Sequence, residues 1–286
     1  MIDCHLHLQD ERLSSRLDEV LATIRSLGIT RLVVNGTHPG DWESVAALAS
    51  RIPEVIPCYG LHPWRVGSEP GNWLGDLGER LRGDPRAGVG EIGLDRWMKN
   101  PDSDRQREVF IAQLALAGSL GRPVTIHCLQ AWGSLLEVLE TAPRPRRLLL
   151  HSYGGPLEMI DRFVSLGAWF SISGYFFRPG KESKLAAFDR IPRDRLLVET
   201  DAPDMVPPPE LVRFHLPSSG TPEPNHPGNL GSIHEALARR LGMGTADLAA
   251  LVGTNFAEWF GSMEPPAAGD QRPIAVSRDS QRSDML

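Results

Sequence analysis

The residues of this sequence that could do chemistry are mainly histidines in or directly after short apolar runs. His5 and His7 are separated by one residue, so on a β-strand both imidazoles project to the same side, about 6.5–7 Å apart along the chain. Two imidazoles at that spacing can bind one ion, although a single pair of this kind is weak evidence. Further histidines and two carboxylates occupy similar positions: His62, Glu91, His127, His151 and Asp201. Imidazoles and carboxylates together are typical of a site for Zn²⁺, Mn²⁺ or a similar divalent ion.

The predicted metal ligands are His5, His7, Glu91, His127, His151 and Asp201. This set is larger than one catalytic ion takes while it keeps a position open for water. Two divalent ions (Zn, Mn or Mg), about 3.5–4 Å apart and bridged by a carboxylate, fit the set better. No lysine lies at a predicted strand end, because the chain has only Lys99, Lys181 and Lys184. We therefore expect Glu91, and not a modified lysine, to be the bridging group.

The segment around Glu91 reads GVGEIG over residues 88–93, which also satisfies the G-x-G-x-x-G pattern of a dinucleotide-binding turn. Such a turn follows a strand, opens a helix and has an acidic residue about 20 positions later. Here the acid lies inside the pattern, and Pro101 follows too closely for an immediate helix. We interpret the segment as a strand that carries Glu91, with glycines that let neighbouring strands and ions approach closely.

The elements that must position these residues alternate along the chain. Short apolar runs predict strands at 2–5, 31–35, 55–61, 87–94, 124–127, 148–151, 168–173 and 196–200. Helical spacing fills most of the intervening segments, for example 13–27, 42–51, 73–82 and 105–120. This pattern predicts an α/β fold, a single (β/α)8 TIM barrel, with an open doubly wound sheet as the alternative. Barrel active sites lie at the carboxyl ends of the strands, where the predicted ligands fall.

The domain organisation follows from where this alternation stops. We expect one barrel domain over residues 1–262 and a disordered C-terminal tail over 263–286, which is polar and poor in apolar residues. A proline-rich excursion at 202–228 interrupts the pattern after the eighth strand, where a barrel builds its site.

Composition limits the partners and the compartment. The formal net charge is −6, so a broad basic face for nucleic acid is not expected. DNA remains possible as a substrate, because a metal site supplies positive charge locally. The odd number of cysteines, three, fits a reducing compartment, and we expect a cytoplasmic protein with no membrane segment. Nothing in the sequence indicates an obligate protein partner.

At these residues the chain resembles the TatD family of metal-dependent hydrolases, within the amidohydrolase-like barrels. The resemblance rests on an ordered set of short motifs along most of residues 1–260. They are Asp3-x-His5-x-His7, Gly60-Leu-His-Pro63, Gly90-Glu-Ile-Gly-Leu-Asp95, Gln106…Phe110…Gln113, Pro123-Val-Thr-Ile-His127, His151, Ser171-x-Ser173-Gly174, Glu199-Thr-Asp-Ala-Pro203 and Asn255-x-x-x-x-Phe260. The resemblance implies a TIM barrel and metal-dependent hydrolysis, with DNA phosphodiesters as the best-known substrates.

The resemblance also implies roles for individual residues. His5, His7, Glu91 and Asp201 would hold one ion, and Glu91, His127 and His151 the second. The implied catalytic residues are Asp201 as proton acceptor, Glu91 and His62, and His62 and Asn225 are the implied substrate contacts. His62 is alternatively a rim histidine with no substrate role. Glu199 would either orient a ligand imidazole or be a hydrogen-bonded core carboxylate.

The departures from the family concern the substrate. Many members have an arginine where this chain has Leu129, and the loop Pro224-Asn225-His226-Pro227 lacks the arginine of the family's Arg-Asn-x-Pro element. Arginine is suited to bidentate phosphate binding, so these departures put nuclease activity in doubt. Three hypotheses follow: a nuclease acting on DNA ends, a hydrolase of a small ester, lactone, amide or phosphoester, and a metal- or partner-binding barrel with little activity.

Aromatic residues near the expected mouth of the barrel are open to two interpretations. They are Trp64, Trp97, Trp132 and Phe176. Such rings either stack nucleobases or pack together as a lid.

Overall fold

Eight parallel strands form one sheet in a computed structural model that describes residues 1–216 and 223–261. Each strand pairs with the next along the chain, in the order β1 to β8. The strands are β1 (Ile2–Leu6), β2 (Arg31–Asn35), β3 (Val55–Tyr59), β4 (Gly88–Asp95), β5 (Val124–Leu129), β6 (Leu148–Leu150), β7 (Ala168–Ile172) and β8 (Leu196–Val198). The predicted (β/α)8 TIM barrel is confirmed, and the open doubly wound sheet is not found.

The intervening helices cover the outside of the sheet. They are α1 (Glu11–Ser14), α2 (Leu17–Ser26), α3 (Trp42–Arg51), α4 (Trp73–Gly83), α5 (Ser103–Ser119), α6 (Trp132–Thr141), α7 (Ile160–Ser165), α8 (Glu182–Leu185), α9 (Ala187–Arg190), α10 (Leu230–Leu241) and α11 (Thr245–Phe260). Both faces of the parallel sheet are therefore buried, and every residue of β3, β6, β7 and β8 is buried.

The barrel closes where the first strand meets the last. Beyond the end of β8 the Asp201 N–H donates to the His5 carbonyl at 3.0 Å, and the His7 N–H donates to the Ala202 carbonyl at 2.8 Å. The buried Asp3 carboxylate reinforces this seam, since it accepts from the backbone N–H of Thr200 at 2.9 Å and from its hydroxyl at 2.6 Å. The Asp3-x-His5-x-His7 motif thus joins the two ends of the sheet.

The glycines of GVGEIG admit neighbouring strands. The whole segment lies in β4, so it does not open a helix. Gly93 has a φ of +150°, and a Cβ there would lie 1.9 Å from the carbonyl oxygen of His127 on β5. A Cβ on Gly90 would lie 2.5 Å from Oδ1 of Asn35, at the end of β2. These residues must lack a side chain for β4 to fit between its neighbours.

Two buried glutamines of α5 hold the ends of β3 and β4. The Gln113 side chain accepts from the Leu61 N–H at 2.7 Å and donates to the Leu61 carbonyl at 3.1 Å. Gln106 makes the same pair of bonds to Asp95, at 2.9 and 3.1 Å. Each amide replaces a strand partner for a residue at or just beyond a strand end, beside His62 in one case and Glu91 in the other.

The excursion after β8 has little regular structure in its described part. It contains 3₁₀ turns at Pro209–Leu211 and Pro227–Asn229 and one isolated bridge between His215 and Asn225. The predicted tail at 263–286 lies outside the described residues. In the described part of the chain, no helix has both the length and the apolar character needed to cross a membrane.

Candidate metal centre

The carboxyl ends of five strands bring the six predicted ligands together. His5 lies in β1 with His7 directly after it, Glu91 lies in β4, and His127 lies in β5. His151 directly follows β6, and Asp201 lies three residues beyond β8. The side chains are buried or nearly so, since the most exposed of them, His127, is only 15% accessible.

One group of ligand atoms surrounds Oε2 of Glu91. This oxygen lies 3.4 Å from Nε2 of His5 and 3.3 Å from Nε2 of His7. Oδ1 of Asp201 lies 3.5 and 3.6 Å from the same two nitrogens, which are 3.2 Å apart. Atoms bound to one Zn²⁺ at about 2.0–2.1 Å in tetrahedral geometry are separated by about 3.4 Å. The four residues therefore fit one divalent ion.

A second group surrounds the other oxygen of the same carboxylate. Oε1 of Glu91 lies 2.9 Å from Nδ1 of His127 and 2.8 Å from Nε2 of His151. These two nitrogens are 3.4 Å apart. Glu91 thus presents one oxygen to each group, which is the arrangement expected of a carboxylate that bridges two ions.

Hydrogen bonds on the far side of two rings orient them as ligands. Nδ1 of His7 lies 2.8 Å from the Asn35 carbonyl, which can only accept, so Nδ1 carries a proton and Nε2, which faces Glu91, is the nitrogen that can bind an ion. Nε2 of His127 lies 2.9 Å from Oδ2 of Asp95, so its Nδ1 is the nitrogen that can bind an ion in the same way. A carbonyl or carboxylate behind a ligand imidazole is the usual support of a metal-binding histidine.

Glu199 has the contacts of a hydrogen-bonded core carboxylate and lies close to one ligand imidazole. It is fully buried and accepts hydrogen bonds from the hydroxyls of Ser152 and Ser171, as a core carboxylate does. Its Oε1 also lies 3.5 Å from Nδ1 of His151, on the side of that ring away from Glu91.

His62 has the opposite ring orientation to His127. Its Nδ1 accepts from the backbone N–H of Trp64 at 3.1 Å, so the neutral ring carries its proton on Nε2. Nε2 lies 3.4 Å from Oε1 of Glu91 and points into the cluster. Distance alone groups His62 with Glu91 and His127 as possible ligands. The ring is nevertheless arranged to donate a hydrogen bond, and not to offer a lone pair to an ion.

The charges of the cluster set the protonation of its carboxylates. Burial raises the pKa of Glu91, but the charges of His151, His62 and His5 outweigh it and hold that pKa well below its usual range. Burial also raises the pKa of Asp201, to about 8, against the opposing effect of His151 and His7. A cation beside Asp201 acts in the lowering direction, so this carboxylate is the one whose protonation depends most on an ion.

The pKa values of the histidines also shift in both directions. Burial lowers the pKa values of His5 and His62 to about 4, so both rings are neutral at pH 7. Burial likewise acts to lower the pKa of His7, but its hydrogen bond to Glu91 and the charges of Glu91 and Asp201 raise it to about 9. A site that draws a proton onto a ligand ring in this way is one in which a cation can replace that proton.

Sequence reasoning missed Asp95 as a functional residue. Oδ2 of Asp95 contacts His127 and accepts from the Trp64 indole N–H at 2.7 Å. The available signal was its position in β4, four residues after Glu91, because side chains an even number apart on a strand share a face. Asn225, in contrast, is not presented to the cluster. Its buried side chain is bonded to the Thr200 carbonyl and to Asn229, which is a structural role.

The four aromatic residues near the mouth differ in exposure. The Trp64 and Trp97 side chains are exposed, at 52% and 63%. Trp132 packs against Tyr153 with ring centroids 4.9 Å apart, and Phe176 is buried against Phe188. The packing interpretation therefore holds for Trp132 and Phe176, while Trp64 and Trp97 present their rings to solvent.

A parallel eight-stranded barrel with a cluster of histidines and carboxylates at the carboxyl ends of its strands is typical of metal-dependent hydrolases. Within that class, the chain belongs to the family described as TatD related DNase, which it matches over residues 2–261.

Several relatives have functional names. The chain is 33% identical to a protein of Edwardsiella piscicida named 3'-5' ssDNA/RNA exonuclease TatD, over 84% of this chain and 91% of the relative. It is 30% identical to the uncharacterized metal-dependent hydrolase YjjV of Escherichia coli, over 71% and 80% of the two chains. The crystal structure of the E. coli YjjV protein superimposes with a TM-score of 0.83 and 26% identity, over 92% of this chain and 98% of that one. These comparisons confirm the predicted family and the predicted class, a metal-dependent hydrolase.

Proposed function

We propose that this protein is a divalent-metal-dependent phosphodiesterase that removes nucleotides from the ends of nucleic-acid strands. The observation that carries the proposal is the Glu91 carboxylate, whose two oxygens face two separate groups of ligand atoms. Two ions, of Zn, Mn or Mg, would be held by His5, His7 and Asp201 on one side and by His127 and His151 on the other. Because its three cysteines are free thiols, we also propose a cytoplasmic location.

The ions and the side chains would supply different parts of the hydrolysis. Bound divalent ions would lower the pKa of an attacking water and neutralise charge that develops on the phosphate. Asp201, at the edge of the cluster, accepts the proton that the attacking water loses. His62 directs its Nε2–H into the site, where it stabilises the leaving oxygen. Asp95 holds the ring of His127 by a hydrogen bond, and Glu199 places a negative charge 3.5 Å from Nδ1 of His151.

The preference for nucleic acid is supported by relatives and by the rim. A human relative, 28% identical over 91% of this chain and 94% of its own length, is named deoxyribonuclease TATDN3. At the rim, Leu129 replaces the family arginine, but the neighbouring strand end supplies Arg96, whose backbone N–H is bonded to the Leu129 carbonyl at 2.9 Å. Its exposed guanidinium contacts Ser134 at 3.1 Å. Arg96 therefore lies next to Leu129, the position of the family arginine, and its guanidinium is suited to binding a phosphate.

A second candidate function is hydrolysis of a small ester, lactone, amide or phosphoester. The net charge of −6 and the apolar Leu129 at the rim favour it, since both weaken phosphate binding.

A substrate panel separates the two candidates. The protein is stripped with EDTA, reloaded with Mn²⁺, Mg²⁺ or Zn²⁺, and tested on end-labelled single-stranded DNA, a chromogenic phosphodiester and lactones. We expect about two ions per chain by elemental analysis and stepwise shortening of the DNA from one end. Turnover of lactones alone would favour the second candidate. No turnover on any substrate, or turnover that EDTA does not reduce, would contradict both.

Replacing Asp201 with Asn tests the assigned proton acceptor. We expect Asp201→Asn to lower kcat by about 100-fold or more, the usual range for removal of a general base. The metal-free variant should be at least as stable as the parent protein, because burial already raises the pKa of this carboxyl to about 8. Turnover is measured on the preferred substrate, and stability by urea unfolding in EDTA. Near-normal turnover would rule out the role.

A further inference from the structure

We propose that Trp64 is a stacking platform for a nucleobase at the strand end that enters the site. The proposal rests on the phosphodiesterase function above and adds the part of the substrate that is recognised. Three features support it: the position of the exposed apolar residues, the hydrogen bond that holds the indole, and the charge of the chain.

Exposed apolar surface is concentrated in one sector of the rim. Among the residues at 1–216 and 223–261, only three large apolar side chains are exposed: Trp64, Trp97 and Leu129. Trp64 follows β3, Trp97 follows β4, and Leu129 ends β5, so the three stand at adjacent strand ends. Scattered apolar residues need no explanation, but exposed apolar residues on three adjacent strand ends, beside the ligand cluster, indicate a ligand contact.

The Trp64 ring lies against the proposed catalytic residues. Its centroid is 5.2 Å from that of His62 and 6.4 Å from that of His127, with both ring pairs close to perpendicular. Despite these contacts, 52% of the side chain remains accessible. A planar group placed on the free surface of the indole is therefore adjacent to His62 and to a proposed metal ligand.

The indole is fixed before any substrate arrives. Its N–H donates to Oδ2 of Asp95 at 2.7 Å, and the same oxygen contacts His127 at 2.9 Å. The other oxygen of Asp95 accepts the backbone N–H of Trp97 at 2.7 Å. Because the ring is already held, stacking on it loses little side-chain entropy, which favours binding.

The charge of the chain is a further reason to expect a base contact beside the phosphate contacts. Arg12 is paired with Asp10 and with Asp204 on the loop after β8, so its charge is neutralised there. The net charge of −6 gives the chain as a whole no electrostatic attraction for a polyanion, so phosphate contacts depend on single groups such as Arg96. Stacking on an aromatic ring supplies affinity for single strands without added charge and accepts every base.

The test compares two oligonucleotides that differ only in whether the terminal nucleotide carries a base. The abasic end keeps every phosphate and loses only the stacking partner. For the parent protein we expect a kcat/KM ratio of about ten between the base-bearing and the abasic end, within the range of a single base–aromatic contact. Trp64→Leu should bring this ratio close to one, and Trp64→Phe should keep most of it.

The choice of variants separates stacking from support of the metal centre. Both substitutions remove the N–H bonded to Asp95, but only the leucine variant lacks an aromatic ring. Trp97→Leu removes a second exposed indole and should reduce the ratio less, since no described contact joins Trp97 to His62 or His127. A loss of base preference in Trp97→Leu alone, or equal losses in the phenylalanine and leucine variants, would overturn the proposal.

A binding experiment without metal distinguishes failure of this proposal from failure of the proposed function. In EDTA, the same oligonucleotides are titrated into the protein, and affinity is read from tryptophan fluorescence and from anisotropy of a labelled strand. We expect Trp64→Leu to bind the base-bearing end about tenfold more weakly. If the parent protein binds both ends equally, the stacking platform is wrong even when the DNA is hydrolysed. If base preference in binding persists without phosphodiester hydrolysis, only the proposed function is wrong.

Discussion

At three histidines of the rim, His7, His62 and His127, the hydrogen bond made by one ring nitrogen decides what the other nitrogen can do. Behind His7 and His127 stand acceptors, the Asn35 carbonyl and the Asp95 carboxylate, so the nitrogens facing Glu91 are the ones that can bind an ion in place of a proton. Behind His62 stands a donor, the Trp64 N–H, so the nitrogen facing Glu91 carries a proton. Residues of one type, side by side, are thus prepared for metal binding in two cases and for proton donation in the third.

This difference predicts opposite results for two alanine variants. His62→Ala should lower kcat by about 100-fold, because it removes a donor to the leaving oxygen, and should leave the number of bound ions unchanged. His127→Ala should lose about one ion per chain, because it removes a ligand. Elemental analysis after dialysis, together with turnover at saturating metal, measures both. Loss of an ion from His62→Ala would show that His62 is a ligand instead.

Only some of the residues of the candidate site could be predicted from the sequence. The six predicted ligands sit at the ends of predicted strands, and a barrel brings all strand ends of one kind to one rim, so their convergence could be predicted. The even spacing of Asp95 from Glu91 could have placed it on the same face, but its contact with His127, like that of Asn35 with His7, depends on the register between neighbouring strands. Asn225 was assigned from a family motif, and its own hydrogen bonds to Thr200 and Asn229 indicate a different role.

Among the elements, α5 has a role beyond covering the sheet. Its buried glutamines Gln106 and Gln113 pair with the backbone of Asp95 and Leu61. Each pairing satisfies one N–H and one carbonyl where a strand has ended and its neighbour no longer supplies a partner. The helix therefore fixes the backbone directly before His62 and at the end of the strand that carries Glu91.

Replacing Gln113 with leucine should destabilise the protein by about 2–4 kcal/mol, since two buried backbone groups lose their partners. Turnover should fall as well, because Leu61 immediately precedes His62. The measurements are urea unfolding in EDTA and kcat on the preferred substrate. A matched control on the same helix is Arg107→Leu, which removes only an exposed ion pair to Glu137 and should change stability by less than about 1 kcal/mol. Equal effects of the two changes would contradict the bracing role.

Element boundaries show where sequence periodicity stops being informative. The spacing over 13–27 predicts one helix, but the chain forms α1 and α2, with a break at Ser15 and Arg16 where Arg16 leaves helical geometry at a φ of −130°. The apolar positions on both sides of the break face the same core, so periodicity cannot reveal the interruption. The run at 55–61 ends as a strand at Tyr59, and the bond from Gln113 to Leu61 takes over beyond it.

For the whole molecule, the core contains a titratable group that the site does not use. His234 of α10 is buried, its Nδ1 lies 3.1 Å from the Leu230 carbonyl, and its Nε2 has no partner within the described residues. Burial lowers its pKa from the ordinary 6.5 to about 4. The unfolded chain therefore takes up a proton near pH 6.5 that the folded chain takes up only near pH 4, so this contribution to stability is lost as the pH falls between these values.

His234→Leu should remove that acid sensitivity. We expect the difference in unfolding free energy, variant minus parent, to rise as the pH falls from 7 to 4.5, by at most ~1.4 kcal/mol per pH unit. Urea unfolding at several pH values, with EDTA in both samples, measures the difference without a contribution from metal. The parent protein measured in parallel is the control, and pH profiles that stay parallel would contradict the assignment to His234.

The seam between β1 and β8 has a consequence for when the site can exist. His5 and His7 are synthesised almost 200 residues before Asp201, the aspartate that completes their group. During synthesis His5 and His7 lack the Asp201 carboxylate, and they come into contact with it only when β1 and β8 close the barrel. Loading of that half of the proposed centre would therefore be a late event, open only to a chain in which the barrel has closed.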